Sequence, residues 1–471
     1  MSSGDSETPL SQVLAMLFAF RPSSADKIRR NDKSLTQVNI NNWDDAIEIL
    51  DALRNNTVVK NVTILETDNL LQVNQEAFVK LFEVMNCNRS VESLTVYLQR
   101  GLLRERFFAT MATNGWSSIR ELVLYDPYGY MSLREPEYIS SFILQSDNLR
   151  TFQLVASGDE NVTIIETLPR TKVESLEIHF QSAFSLQNGG RRLATALQRC
   201  TSITELKLDF PSYNDQVEFF QILLVESIPK MLGLKKFELD IDPFDEQCDH
   251  QFFDMVGQCF ELHQGEIEEL TLDFGTVPSV NTSIFGLTPA LESLKVIRFR
   301  GATLTSQHMG ELLGIAADCD ALEEFHYNLS HQSTDYFKAI CQLLSKFPSL
   351  KRVTQEHLRR DEEVDLREEG RLTAFLEMVK TSKTIEEVPS FRCGNDEEEA
   401  AISYHCHNNM IHSRIYEEGL LAANVPDSAW PLILEEFSDM PDVLYYLLHQ
   451  KNGAMIGHSR HGRKRKQDSG D

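Results

Sequence analysis

The sequence has no long apolar run. Its longest, Leu10 to Phe20, is too short to cross a bilayer, which takes about 20 residues as a helix. Asp5 and Glu7 precede that run where a secretory leader would carry positive charge, so the expectation is a soluble intracellular chain with no membrane partner. Cations are scarce as well. Lys and Arg total 45 against 71 Asp and Glu, and the net charge of -26 would repel nucleic-acid phosphates and favour basic partners. Eight cysteines (8 in 471 residues) show no short paired spacing, as expected of reduced thiols. No Gly-rich loop ending in Gly-Lys-Ser/Thr, no H-E-x-x-H and no G-x-S-x-G occurs, so the reading assigns no cofactor, no catalytic residue and no enzymatic activity.

What the chain has instead is one short frame, apolar-x-x-apolar-x-apolar, used repeatedly. It appears as "LTQVNI" from Leu35, "VKNVTI" from Val59, "VESLTV" from Val91, "IRELVL" from Ile119 and "LRTFQL" from Leu149. It continues through "VESLEI" (Val173), "ITELKL" (Ile203), "LKKFEL" (Leu234), "IEELTL" (Ile267) and "LKVIRF" (Leu294), then fades through Leu322, Leu350 and Ile385. The frames recur about every 29 residues. Segments of helical period lie between them, including Trp43 to Asn55, Arg191 to Cys200, His308 to Cys319 and Thr334 to Phe347. Each unit therefore reads as a strand followed by a helix, and a parallel strand reached through a helix winds right-handed.

On these frames the chain resembles the leucine-rich-repeat family, most nearly its ribonuclease-inhibitor-like branch, over roughly Leu35 to Phe391; the best single unit is Leu294 to Phe325. The segments "NVPDSAWPLILEEF" and "DVLYYLLHQ" are also similar to a group of diatom repeat proteins, a resemblance that implies no particular activity. The expected fold is an α/β right-handed solenoid, a horseshoe of about thirteen irregular repeats, with a parallel sheet on the concave face and helices outside. Position nine of the frame, where the family often has Asn or Cys, holds residues such as Gln99, Pro127 and Asp242, so a regular asparagine ladder is not expected there.

Four regions follow: residues 1–22 as an N-terminal tail and capping segment, 23–392 as the solenoid, 393–455 as a C-terminal strand and helical cap, and 456–471 as a basic disordered tail. The alternation of Ile402, Tyr404 and Cys406 predicts the strand, and Trp430 to Leu448 supplies the helical pattern. Cys393, His405, Cys406, His407 and His412 suggest zinc by type, but adjacent residues on a strand point apart, so no metal is expected. The expected location is the cytoplasm, with nuclear entry as the alternative because Arg463, Lys464, Arg465 and Lys466 form a basic cluster of the kind that directs nuclear import.

Positions three, five and seven of each frame should face solvent once positions four and six point inward. Along positions three and five opposite charges alternate. Position seven instead brings Asp209, Asp240 and Asp273 together, flanked by Glu177, Glu238 and Glu269, a surface suited to a Lys- or Arg-rich segment of a protein partner. Tyr97 and Tyr125 occupy position seven in earlier frames and are candidate aromatic anchors. The expectation is a monomeric, non-catalytic protein-interaction scaffold. The alternatives are a substrate-recognition adaptor of a ubiquitin ligase, through the C-terminal helices, and a GTPase-activating protein.

Overall fold

The computed structural model describes residues 23–40, 43–65, 75–97, 104–114, 116–126, 132, 134–156, 161–180, 189–210, 217–241, 249–263, 267–273, 285–300, 306–327, 333–354 and 364–417. The expected N-terminal cap (1–22), the segment Trp430 to Leu448 and the basic tail lie outside the described residues. The chain divides into two compact units, Met1–Ala290 and Leu291–Asp471.

In the first unit nine parallel strands follow chain order: β1 (Gln37–Ile40), β2 (Asn61–Leu65), β3 (Ser93–Tyr97), β4 (Glu121–Tyr125), β5 (Thr151–Ala156), β6 (Ser175–Phe180), β7 (Glu205–Phe210), β8 (Lys236–Ile241) and β9 (Glu269–Asp273). Every one begins at position three of its frame. The register pairs like with like, Ser93 with Glu121, Glu177 with Lys207, Asp209 with Asp240. The reason is local to each repeat: the position-two carbonyl accepts both the position-two and position-three amides of the next, as Glu92 O does from Arg120 N (2.7 Å) and Glu121 N (3.0 Å). One carbonyl thus fixes where the next strand starts.

Positions one, four and six supply the core, with Ile203, Leu206 and Leu208 all at most 2% exposed. Burying each such side chain contributes about 1.5–3 kcal/mol, which a slip of one residue would reverse by turning the whole apolar row to solvent. Each strand is followed by a helix where the period predicts one, among them Trp43–Leu53 and Arg191–Leu197. Connecting helices vary from 5 residues (Asn161–Ile165) to 14 (Asp249–Leu262), which is how repeats of unequal length keep one strand register. Gly257 fixes one crossing, because a Cβ there would lie 1.6 Å from the Gly286 carbonyl oxygen.

The second unit repeats the plan with β10 (Val296–Arg300), β11 (Glu324–His326) and β12 (Arg352–Thr354), parallel and again starting at position three. The thirteenth frame, from Ile385, contributes one parallel bridge, Arg352 with Glu387. Pro389 stands at its position five and has no amide to extend the ladder. A two-stranded parallel sheet of β13 (Val364–Asp365) and β14 (Phe391–Arg392) accompanies it. The architecture is thus the mixed α/β leucine-rich-repeat arrangement, parallel strands alternating with helices.

Two sequence expectations change. Residues 396–417 form a helix rather than a strand at Ile402 to Cys406: Ile402 and Cys406 are buried four residues apart, and Asn409 Nδ2 donates to the Val379 and Ile385 carbonyls. Period four overlaps period two at that spacing, and the exposed Tyr404 between them misleads the alternation. Thr271, Val296 and His326 are also buried, although they hold positions three or five, and so is Val155 at position seven. Thr271 and Val296 are short side chains in rows of longer ones, and the His326 ring lies against Glu324, with Nε2 3.1 Å from Oε2.

A polar ladder does exist, on the other side of the frame. Three residues before position one, buried Asn56 accepts from Val58 N and Val59 N through Oδ1 and donates to Ile28 O at 2.6 Å. Asn88 repeats this one unit later, accepting from Ser90 N and Val91 N and donating to Leu53 O. These side chains satisfy turn amides and the orphan carbonyls at the preceding helix end, a role that position nine fills in more regular repeats.

Candidate functional site

The face of the first unit that carries positions three, five and seven has two dissimilar stretches. On β3 and β4, Tyr97 and Tyr125 are register partners, with ring centroids 5.0 Å apart at 51°. Thr95 and Val123 stand beside them at position five, and the register partner of Tyr125 on β5 is Val155, which is buried. This stretch is uncharged at positions five and seven.

From β6 to β9 the same positions are ionic except at Thr271, and position three adds Glu205, Lys236 and Glu269. His179 on β6 stands between two carboxylates, Nδ1 2.6 Å from Asp209 Oδ2 and Nε2 2.6 Å from Glu177 Oε1. Burial opposes charging the ring, but the hydrogen bonds to Asp209 and Glu177 outweigh it and raise its pKa to about 9, so it is an imidazolium at neutral pH. Lys207 bridges Glu177 and Glu238 at 3.1 and 3.2 Å, and Lys236 bridges Glu205 and Glu269, each at 3.4 Å. Of the six acids read as the binding row, Asp209 is therefore held by His179, Glu177 by both His179 and Lys207, Glu238 by Lys207, and Glu269 by Lys236.

Asp240 differs. It lies in register between Asp209 and Asp273, and among the described residues its carboxylate makes no hydrogen bond or ion pair. Neighbouring strands are about 4.8 Å apart, and two carboxylates at that distance repel by about 1 kcal/mol in water and more where water is partly excluded. Burial, followed by the charges of Asp209 and Asp273, pushes the Asp240 pKa from 3.8 to about 7, while Lys207 pulls the other way.

The sequence placed the six acids and two tyrosines on one face, and the register brings them into rows. It missed that His179 serves as the counter-ion. The signal was present, since His179 sits at position seven beside Asp209 and two residues after Glu177. It also missed the charge alternation at position two, where Lys60 meets Glu92 at 2.6 Å and Arg150 meets Glu174 at 3.2 Å.

His412 lies where side chains are not described, and the other Cys and His residues near the C-terminus do not converge. Cys406 is turned inward, burial raising its thiol to about 11, whereas His405 is held below its usual range by burial and Lys380. Among the described residues no group of three or more His, Cys, Asp and Glu is arranged to hold a metal ion, and no helix is long and apolar enough to cross a membrane.

No protein-family model matches the sequence, and no curated protein matches it. Among solved structures the chain is similar to the leucine-rich repeat-containing protein LegL7 from Legionella pneumophila, with 13% identity over 74% of this chain and 97% of that one and a TM-score of 0.41. It is also similar to leiomodin-1 actin-binding site 2 (16% identity, 38% of this chain and 87% of that one, TM-score 0.22). A third similarity is to the tropomodulin C-terminal domain of Caenorhabditis elegans (14% identity, 43% and 89%, TM-score 0.17).

Proposed function

We propose that the protein is a non-catalytic interaction scaffold whose first unit takes a basic segment of a protein partner on the sheet face of β6 to β9. The observation that carries this reading is Asp240: Glu177, Glu205, Asp209, Glu238 and Glu269 each touch a cation, whereas this carboxylate stands between two others without a counter-ion. A partner Lys or Arg at that point relieves the repulsion, and Asp209 and Asp273 lie within one strand of it. Tyr97 and Tyr125 on the same face offer an uncharged anchor for an apolar residue of the partner, since paired aromatic rings bury area at low entropic cost.

The test is affinity capture from a lysate with the intact chain and with an Asp209→Lys, Asp240→Lys, Asp273→Lys variant shown to be folded by circular dichroism, followed by titration of a labelled oligolysine peptide. Loss of specific partners together with loss of oligolysine binding supports the reading. Undiminished binding of both by the variant rejects it.

A further inference from the structure

The sheet face is not the only charged surface of the first unit. Among the described residues of the first unit each helix ends and the chain turns into the next strand, and because the strands are parallel and in register these turns lie along one edge. Consecutive turns touch: Thr57 N donates to Asn31 Oδ1 at 2.9 Å, and Ser202 Oγ to Thr171 O at 3.5 Å. A Cβ on Gly233 would lie 2.9 Å from the Thr201 carbonyl oxygen, so the next turn is equally close.

Three successive turns preceding β6, β7 and β8 carry Arg170 and Lys172, then Arg199, then Lys230, all exposed. Among the described residues none of these four side chains makes an ion pair or hydrogen bond. Of the nearby acids, Glu166 is gripped by Arg192 (2.8 and 2.7 Å), Glu174 pairs with Arg150, and Glu226 is exposed. Cations at helix C-termini offset the helix dipole, but that amounts to about half a charge per helix end, so a full cation in each turn leaves a surplus. In a chain of net charge -26 such a surplus is a local reversal of sign. A groove of about 300 Å³ opens beside it, lined by Pro169, Thr195 and Ala196 together with Arg191, Arg192, Arg199 and Glu166.

We propose that this edge is a second docking surface, one that takes a glutamate-rich extended segment of a partner protein, independent of the acidic sheet face. Charge complementarity selects the sign, and the groove itself shows the chemistry, since Arg192 already holds the Glu166 carboxylate through two parallel bonds. The row selects the extended form. A segment that meets the cations of three consecutive, touching turns has to run along the edge, as an extended chain does.

The experiment titrates a fluorescein-labelled peptide of alternating Glu and Ser into the full-length protein at low ionic strength and reads anisotropy. The expected result is saturable binding that weakens about ten-fold or more in an Arg170→Glu, Arg199→Glu variant and is unchanged in Asp240→Asn. Absence of binding, or equal binding by the charge-reversed edge, overturns the proposal. Sedimentation of the unliganded protein decides the remaining occupant: self-association that is lost both in the edge variant and in Asp209→Lys would assign the edge to the acidic face of a second copy, and would overturn it too. A protein that stays monomeric while binding the peptide sustains it.

Discussion

The stretches β3 to β5 and β6 to β9 share one backbone plan and differ almost entirely in what they show to solvent. Both bury positions one, four and six, and both bind strand to strand through the same position-two carbonyl. Yet one presents a tyrosine pair and β-branched neighbours, and the other an acid-rich ionic lattice in which the Asp240 carboxylate touches no cation. The lesson is that the frame fixes the fold with half of its residues and leaves the other half to recognition.

Substitutions in the shared core should produce the largest effects and should erase the distinction. Leu124→Ala and Leu208→Ala, both fully buried, are each expected to cost about 2–5 kcal/mol in denaturant unfolding. A much smaller cost at Leu208 would mean that the ionic stretch is held by its charges rather than by its core.

The next effect belongs to the ionic stretch alone. His179→Ala leaves Glu177 and Asp209 facing each other without the imidazolium, at an expected cost of about 1.5–3 kcal/mol near neutral pH. Its pKa is raised, so its contribution is complete below about 6.5 and is lost as pH rises through about 9. Asp240 adds to the same trend. Its folded pKa of about 7 lies above the unfolded 3.8, so the folded state binds the extra proton and stability falls as pH rises from about 4 to about 7. The denaturation midpoint is therefore expected to decline from mildly acidic to mildly alkaline pH, and a His179→Gln, Asp240→Asn double variant should flatten that decline.

Asp240→Asn alone sharpens the comparison further. Removing the unpaired charge is expected to stabilise the fold by about 1 kcal/mol at pH 8, after allowing for partial solvation, while weakening oligolysine binding about five-fold. A variant that is more stable yet binds oligolysine as well as the parent would separate Asp240 from recognition.

The smallest effect is in the aromatic stretch. A double-mutant cycle on Tyr97→Ala and Tyr125→Ala is expected to give a coupling of about 0.5–1.5 kcal/mol in stability, the range for a close ring pair, and no change in pH dependence. Coupling that varied with pH would show that the two stretches are not electrically separate.

Much of this was legible from the chain. The apolar triplet at positions one, four and six gave each strand its start, because a parallel ladder in register needs the same residue type at the same place in every repeat. The ionic face was half legible: Asp209, Asp240 and Asp273 could be aligned by counting, but their neighbours' long side chains could not. Lys207 reaches two strands at once, and no linear spacing encodes which of several carboxylates a flexible side chain will choose. The helix at 396–417 was misread because alternation over five residues fits two periods.

The sequence by itself determined the repeat and the buried rows, since these follow from local rules of apolar spacing applied one unit at a time. The tertiary structure alone decided which acids are neutralised and which is not, where the buried asparagines bond and how exposed cations of separate turns come to share an edge. Those properties depend on distances between residues some thirty positions apart, and stacking of the repeats is what sets such distances to a few ångströms.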